Sequence, residues 1–281
     1  MSPRAGDDRS GGGWRLNTLV RGYRALMHIA WSNMLQYRAS VFLWTLWSIA
    51  GPIIHLSVWR SITQAEGQIS GYDPQTIVAY FLVQSIVYHF TSAWQVYEFS
   101  YLIRMGTLST RLLRPFDPSH WIVTQNVAFK LINLIWLVPI WLGLGGYFRP
   151  RLEWSAGRIL AFAGALLIAA ALRFLWTHCW AMVSFWTVRA AGLHELIDAV
   201  NFLIGGGIAP VGLLPGILQA LGAFLPFYYM LGWPIDIGAG TLSLDTVGPA
   251  LLRAVGWTGA LFIIYRILWW RGLRRYGAVG A

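Results

Sequence analysis

IVAYFLVQSIVYHFTSAWQVY, from Ile77 to Tyr97, carries no formally charged side chain over a length that would cross a bilayer as a helix. A spanning helix needs ~20 mostly apolar residues, because lipid offers its backbone amides and carbonyls no partner outside the helix itself. The same pattern recurs on both sides. Val41 to Trp59 is uncharged, Trp121 to Tyr147 carries only Lys130, and Ile159 to Val188 carries only Arg173. Val247 to Trp270 is interrupted by Arg253 and Arg266, each close enough to an interface to extend its guanidinium to water. Ala199 to Ile235 is charge-free but too long for one span and too short for two with a comfortable turn.

Composition agrees. Hydrophobic residues make up 57% and charged residues 11%, with a mean hydropathy of +0.54, far from the balance of a soluble domain. The expected fold class is therefore an all-α membrane protein with six transmembrane helices, at approximately 41–60, 77–97, 121–147, 159–188, 196–210 and 247–270. Residues 1–15 are expected to be a flexible cytoplasmic tail and 16–281 a single transmembrane domain.

Charge sets the orientation, because short cytoplasmic loops gather Arg and Lys. With six spans and both termini inside, one side holds Arg4, Arg9, Arg15, Arg21, Arg24, Arg38, Arg104, Arg111, Arg114, Lys130, Arg189, Arg266, Arg271, Arg274 and Arg275. The other side holds only Arg60, Arg149, Arg151, Arg158 and Arg253. Both termini are expected in the cytoplasm of a multi-pass membrane protein.

Two further elements are not expected to span. Leu16 to Arg38 places Leu19, Tyr23, Leu26, Met27, Ala30 and Met34 at helical spacing, which predicts an amphipathic helix lying on the cytoplasmic surface. In GGGIAPVGLLPGILQALGAFLPF, from Gly205 to Phe227, the glycines and Pro210 and Pro215 should end a helix. A broken or re-entrant outer segment between spans five and six is predicted, since irregular backbone at membrane depth must be enclosed by protein or line a cavity.

Several chemistries are excluded or disfavoured. A P-loop needs Gly-Lys-Ser/Thr, and the sole lysine, Lys130, lies between Phe129 and Leu131. His194-Glu195-Leu196-Ile197-Asp198 puts Asp where a zinc-binding helix needs its second His, so no metal site is expected. Asp117, Glu195 and Asp198 are expected in loops or at span ends, which leaves no ladder of intramembrane acids. Cys179 is the one cysteine, which rules out an intramolecular disulfide. Arg173 is the costliest residue, at about 3 kcal/mol even on a lenient insertion scale, and is expected to find a partner inside the bundle.

RLLRPFDPSHW, from Arg111 to Trp121, stands out between the second and third spans. Its basic, proline-punctuated character on the cytoplasmic side predicts either a knob that docks into a soluble partner or a loop that holds anionic lipid. The chain also resembles the permease subunits of type 2 ABC transporters, in particular a six-span bacterial DUF990-like family of exporter subunits. QYRASVF, LLRPFDP, AMVSFWTVRA, GIAPVGLLPGILQALGAFLPFYYMLGWPIDI and RGLRRYGAVGA carry the likeness in that order.

The resemblance implies a permease that dimerises with an identical or related second permease chain and sits on a cytosolic ABC ATPase dimer. It assigns a cytoplasmic coupling helix to Ser100–Pro118, with Arg104, Arg111, Arg114, Pro115 and Asp117 at the ATPase contact. Tyr37 and Arg38 would mark the junction between surface helix and first span. The route for a small amphipathic or cationic compound would run along the second and fifth spans, past Gln84, Tyr88, His89, Trp94, Asn201 and Phe202, with aromatic faces rather than acids holding a cation. ATP and Mg would belong to the partner, with no cofactor in this chain; membrane lipid is a further partner and nucleic acid is not. Alternatives are a membrane-embedded enzyme acting on lipid or lipid-linked substrates, which would need polar catalytic groups gathered at one interface, and a non-transporting scaffold or sensor.

Overall fold

A computed structural model describes residues 11–114 and 117–277. Those residues are helical throughout, with turns and one two-residue bridge, Ile69 to Tyr72, as the only other regular features. The helices are α1 (Gly11–Gln36), α2 (Arg38–Glu66), α3 (Pro74–Thr91), α4 (Gln95–Arg104), α5 (Leu108–Leu112), α6 (Pro118–Phe148), α7 (Ala156–Val183), α8 (Ala190–Ile204), α9 (Gly216–Phe224), α10 (Phe227–Met230), α11 (Gly232–Ala239) and α12 (Val247–Arg275).

Local chemistry starts the long helices. Asp73 accepts the Thr76 amide at 2.7 Å and Pro74 follows it at the first helical position of α3. Asp117 and Pro118 repeat this at α6, where the carboxylate accepts the Ser119 amide at 2.8 Å. Ser155 caps α7 through the Arg158 amide. Each side chain satisfies a donor that the first turn leaves unpaired, and proline costs nothing there because its missing N–H would be unpaired anyway. Pro118, expected to close the basic knob, instead opens the next helix.

Among the described residues, five helical stretches are long and apolar enough to cross a membrane: Arg38–Glu66, Pro74–Arg104, Pro118–Phe148, Ala156–Val183 and Leu244–Arg275. The expected fifth span at 196–210 is not one of them. α8 has only 15 residues, about 22 Å at 1.5 Å per residue. It stops where Gly206 adopts φ +93°, a conformation that a side chain resists. The helix expected from Leu16 begins earlier, at Gly11, so residues 11–15 of the expected tail are helical; residues 1–10 lie outside the described residues. It breaks at Tyr37, and α2 starts at Arg38.

The 77–97 stretch forms the centre of the bundle. The apolar window of Pro74–Arg104 is 67% buried within the chain, against 11–22% for the other four spans. Ile77, Ala79, Tyr80, Phe81, Val83 and Val87 pack against Leu56 of α2 and Leu231, Ile235 and Ala239 around α11. The span is broken at Ser92–Trp94, where Asn126 of α6 donates to the Ser92 carbonyl at 3.3 Å and Gln95 donates to the Phe174 carbonyl of α7. A second core joins α4, α7 and α12 through Phe99, Leu172, Met182, Tyr229, Trp233, Leu261 and Trp269.

Beyond α8 the chain doubles back. Gly212 lies against the Tyr72 hydroxyl, at the end of the bundle where α3 and α7 start. The chain then descends through α9 and reaches Phe227, whose ring meets Trp176, about 30 Å along α7 from Ala156. It climbs again through α10 and α11 to the Arg158 guanidinium, which donates to the Ile237 and Leu242 carbonyls at 3.0 and 3.1 Å. The 210–240 segment therefore leaves and returns to one end of the bundle.

The descending and ascending arms meet α8 without side chains between them. A Cβ on Gly232 would fall 2.7 Å from the Gly205 carbonyl oxygen, so only glycine permits this crossing.

Candidate functional site

At the opposite end, α4 runs into a compact knob. Leu108 of α5 is fully buried among the α4, α6 and α7 side chains, and this anchors an otherwise exposed turn. Arg111 lies over the Trp121 ring at 5.0 Å, while Arg104 donates to the Ser100 carbonyl at 3.3 Å. Leu113 is 88% exposed and Arg114 is exposed beside it. Pro115 lies outside the described residues, and Asp117 is engaged as the α6 cap.

Two polar contacts further tie α4 and α5 to the rest of the bundle. The Ser109 amide donates to the Tyr276 hydroxyl at 3.3 Å, beyond the end of α12. The Ser100 and Ser184 hydroxyls meet at 2.6 Å, linking α4 to the end of α7. These contacts hold α4 and α5 to the ends of α7 and α12.

The residues expected along a route divide into two groups. Gln84 is buried and donates to the Gly206 and Gly207 carbonyls, and Tyr80 shares the former at 2.8 Å. Tyr88 and Phe202 stack edge to face with centroids 6.2 Å apart, half-buried on the same side of α3, and buried Asn201 is close by on α8. His89 and Trp94 turn instead towards α6. His89 Nε2 meets the Lys130 carbonyl oxygen at 3.0 Å, and the Trp94 ring packs on Phe129 at 4.9 Å. Gln84 and His89 thus spend polar atoms on the chain's own backbone, whereas Tyr88, Trp94 and Phe202 keep partly open faces.

Acids expected in loops or at span ends lie on α8 itself. Arg173, only 7% exposed, pairs with Asp198 at 2.8 and 2.9 Å, one guanidinium nitrogen bridging both carboxylate oxygens. Asn201 donates to the same carboxylate at 3.2 Å. Glu195, one turn nearer the knob and exposed, accepts the Tyr97 hydroxyl at 3.0 Å. The His194–Asp198 fragment that resembles a zinc helix therefore supplies the partner of Arg173. Its position was hidden because α8 starts directly after Arg189, with no polar loop to mark it.

Asp236 was also missed, lying one residue past the apolar stretch that ended at Ile235. It is buried, and its carboxylate accepts from Tyr228 at 2.7 Å and Thr241 at 2.9 Å, which pins the top of the returning arm.

The described chain thus combines a broken central helix, a doubling-back segment after α8 and a basic turn at the opposite end of the bundle. The family model for ABC-2 family transporter proteins matches residues 48–280. The chain belongs to that family. No curated protein matches its sequence. ABC-2 proteins are membrane components of transporters that work with an ABC ATPase component and are not generally catalytic themselves.

Proposed function

We propose that this chain is the permease subunit of an ATP-driven exporter, with ATP and Mg held by separate ATPase subunits. Family membership carries the transport reading. The site reading rests on one observation: Glu195, Tyr97 and Tyr101 form an exposed polar and aromatic face on α4 and α8, beside the Arg173–Asp198 pair. Ionisable groups at membrane depth face a protein interior or a water-filled path, not lipid. That face is accordingly assigned to a second permease chain and the route between the two copies. α8 and residues 205–212 supply a sixth crossing by way of an extended upper half, and the 210–240 segment is a re-entrant outer gate.

Arg104, Arg111, Arg114, Pro115 and Asp117 belong to the element that enters the ATPase, and Tyr37 and Arg38 to the hinge of the surface helix. Gln84 and His89 shape the route by holding backbone and Asn201 by holding the Asp198 carboxylate, while Tyr88, Trp94 and Phe202 present rings to it. The substrate is a small amphipathic or cationic compound held by these rings and by Glu195. ATP-driven closure of the ATPases pushes the knob and tilts α4, α7 and α12 together, an alternating-access movement.

The test is substrate-stimulated ATP turnover by the co-reconstituted complex, comparing amphipathic cations with anions of equal hydrophobicity. Cation stimulation that falls in Glu195→Gln supports the reading. Equal responses to both charges, or an unaltered Glu195→Gln response, would sink the cation route.

A further inference from the structure

α9 descends along α12 without closing on it. Between them lies a groove of about 680 Å³, lined by Ala220 and Ala223 on one wall and by Arg253, Gly256, Trp257 and Ala260 on the other. Trp257 fixes its lower end by donating its indole N–H to the Phe224 carbonyl at 3.1 Å. A Cβ built on Gly256 meets nothing within 4 Å, so the space over that residue is open. Every lining side chain but one is apolar or small, and the exception, Arg253, is exposed and has no acidic partner among the described residues.

The depth of Arg253 follows from its helix. AVGWTGALFIIY, between Arg253 and Arg266, is uncharged, and the two arginines are about 20 Å apart along the axis at 1.5 Å per residue. Centred in a hydrocarbon layer of about 30 Å, each Cα lies about 5 Å inside its boundary, within the reach of an arginine side chain. The guanidinium of Arg253 therefore stands at phosphate level, and the groove runs below it into the acyl region.

We infer that this groove is a binding site for one anionic phospholipid, its phosphate on Arg253 and one acyl chain laid over Gly256 and Ala260 against Trp257. A second copy of the chain fits less well. Neither GILQALGAF of α9 nor VGPALLRAVGWTGALFIIYRILWWRGLRR of α12 contains an acid. A two-fold contact through the groove would bring two Arg253 side chains together without compensation. A phosphate neutralises the guanidinium and pairs with it in a bidentate manner. The lipid lies against the re-entrant arm, so its occupancy sets how tightly α9 is held to α12.

The test is native mass spectrometry of the full chain in its purified complex, loaded with phosphatidylglycerol or with phosphatidylcholine of the same acyl chains. Arg253→Gln and Gly256→Leu are compared with wild type. Gly256→Leu fills open space and should leave the helix intact, which circular dichroism checks.

Wild type is expected to retain one phosphatidylglycerol more per chain than Arg253→Gln, with at least a fivefold preference over phosphatidylcholine at that site. Gly256→Leu loses the bound lipid of either headgroup. Arg253→Gln retaining the full complement, or Gly256→Leu binding as wild type does, overturns the proposal. So does loss of a subunit from the complex in Gly256→Leu with lipid retention unchanged, which would make the groove a contact between chains. None of these readouts depends on ATP turnover.

Discussion

Replacing Asp198 by Ala would leave the Arg173 guanidinium in a nearly closed site, 9% exposed, with its ion-pair partner gone. Breaking a buried pair from one side costs about 3–5 kcal/mol because a charge remains uncompensated. Asp198 is itself 30% exposed, which lets some water reach the site and argues for the lower end, about 3 kcal/mol. At about 2–4 °C per kcal/mol, this becomes a fall of about 6–12 °C in melting temperature.

The converse change, Arg173→Met, should cost less, since the carboxylate keeps its Asn201 donor and its partial exposure. The double variant Arg173→Met, Asp198→Ala removes both charges and should recover most of the loss, giving a coupling of about 2 kcal/mol in a double-mutant cycle. Tryptophan-monitored thermal unfolding in nanodiscs measures all four proteins. The reasoning fails if both single variants melt within 1 °C of wild type, or if the double variant is as unstable as the sum of the singles.

Gly206→Ala would force a side chain into φ +93° and put its Cβ 2.5 Å from the Tyr80 hydroxyl, for a loss of about 2–3 kcal/mol including the displaced hydrogen bond. Gly259→Ala, whose new Cβ meets nothing, should melt at or above wild type in the same assay. Asp73→Ala removes the α3 cap and should cost about 1 kcal/mol at neutral pH. The Thr76 amide holds the Asp73 carboxyl below the usual carboxylate range. The cap's contribution is therefore full above the unfolded value of about 3.9 and lost as pH falls through the lower folded value, so the gap between variant and wild type narrows only in acid. Tyr276→Phe deletes the acceptor of the Ser109 amide and should change stability by less than about 1 kcal/mol. Substrate stimulation of ATP turnover should nonetheless drop severalfold, because α5 loses its tie to the end of α12.

Much of the helical plan is legible in uncharged length alone. The starts of α3 and α6 are also readable, since both are written Asp-Pro, an acceptor followed by a residue suited to the first turn. The end of α8 at Ile204 is legible in the glycines that follow it, whereas its start at Ala190 was harder, because Glu195 and Asp198 read as acids of a loop or span end. The break at Ser92–Trp94 left no proline or glycine signal and depends on Asn126 and Gln95, which reach it only in the folded bundle.

Site residues follow the same division. Gln84 and His89 look like pathway residues because a polar group in a span demands explanation. The explanation for each is a backbone carbonyl of another helix, at Gly206 and Gly207 for one and Lys130 for the other. Pairing across elements, as between Arg173 and Asp198, is a property of packing that periodicity does not encode.

The most direct test of the permease account is ATP turnover by the chain assembled with its ABC ATPase component in nanodiscs, comparing wild type with Arg111→Glu, Arg114→Glu. The account predicts that ATPase assembly or turnover collapses while helix content and melting temperature stay at wild-type values. An ATPase that binds and turns over unchanged with both charges reversed would contradict it, and would leave the 104–117 knob as a lipid-facing loop.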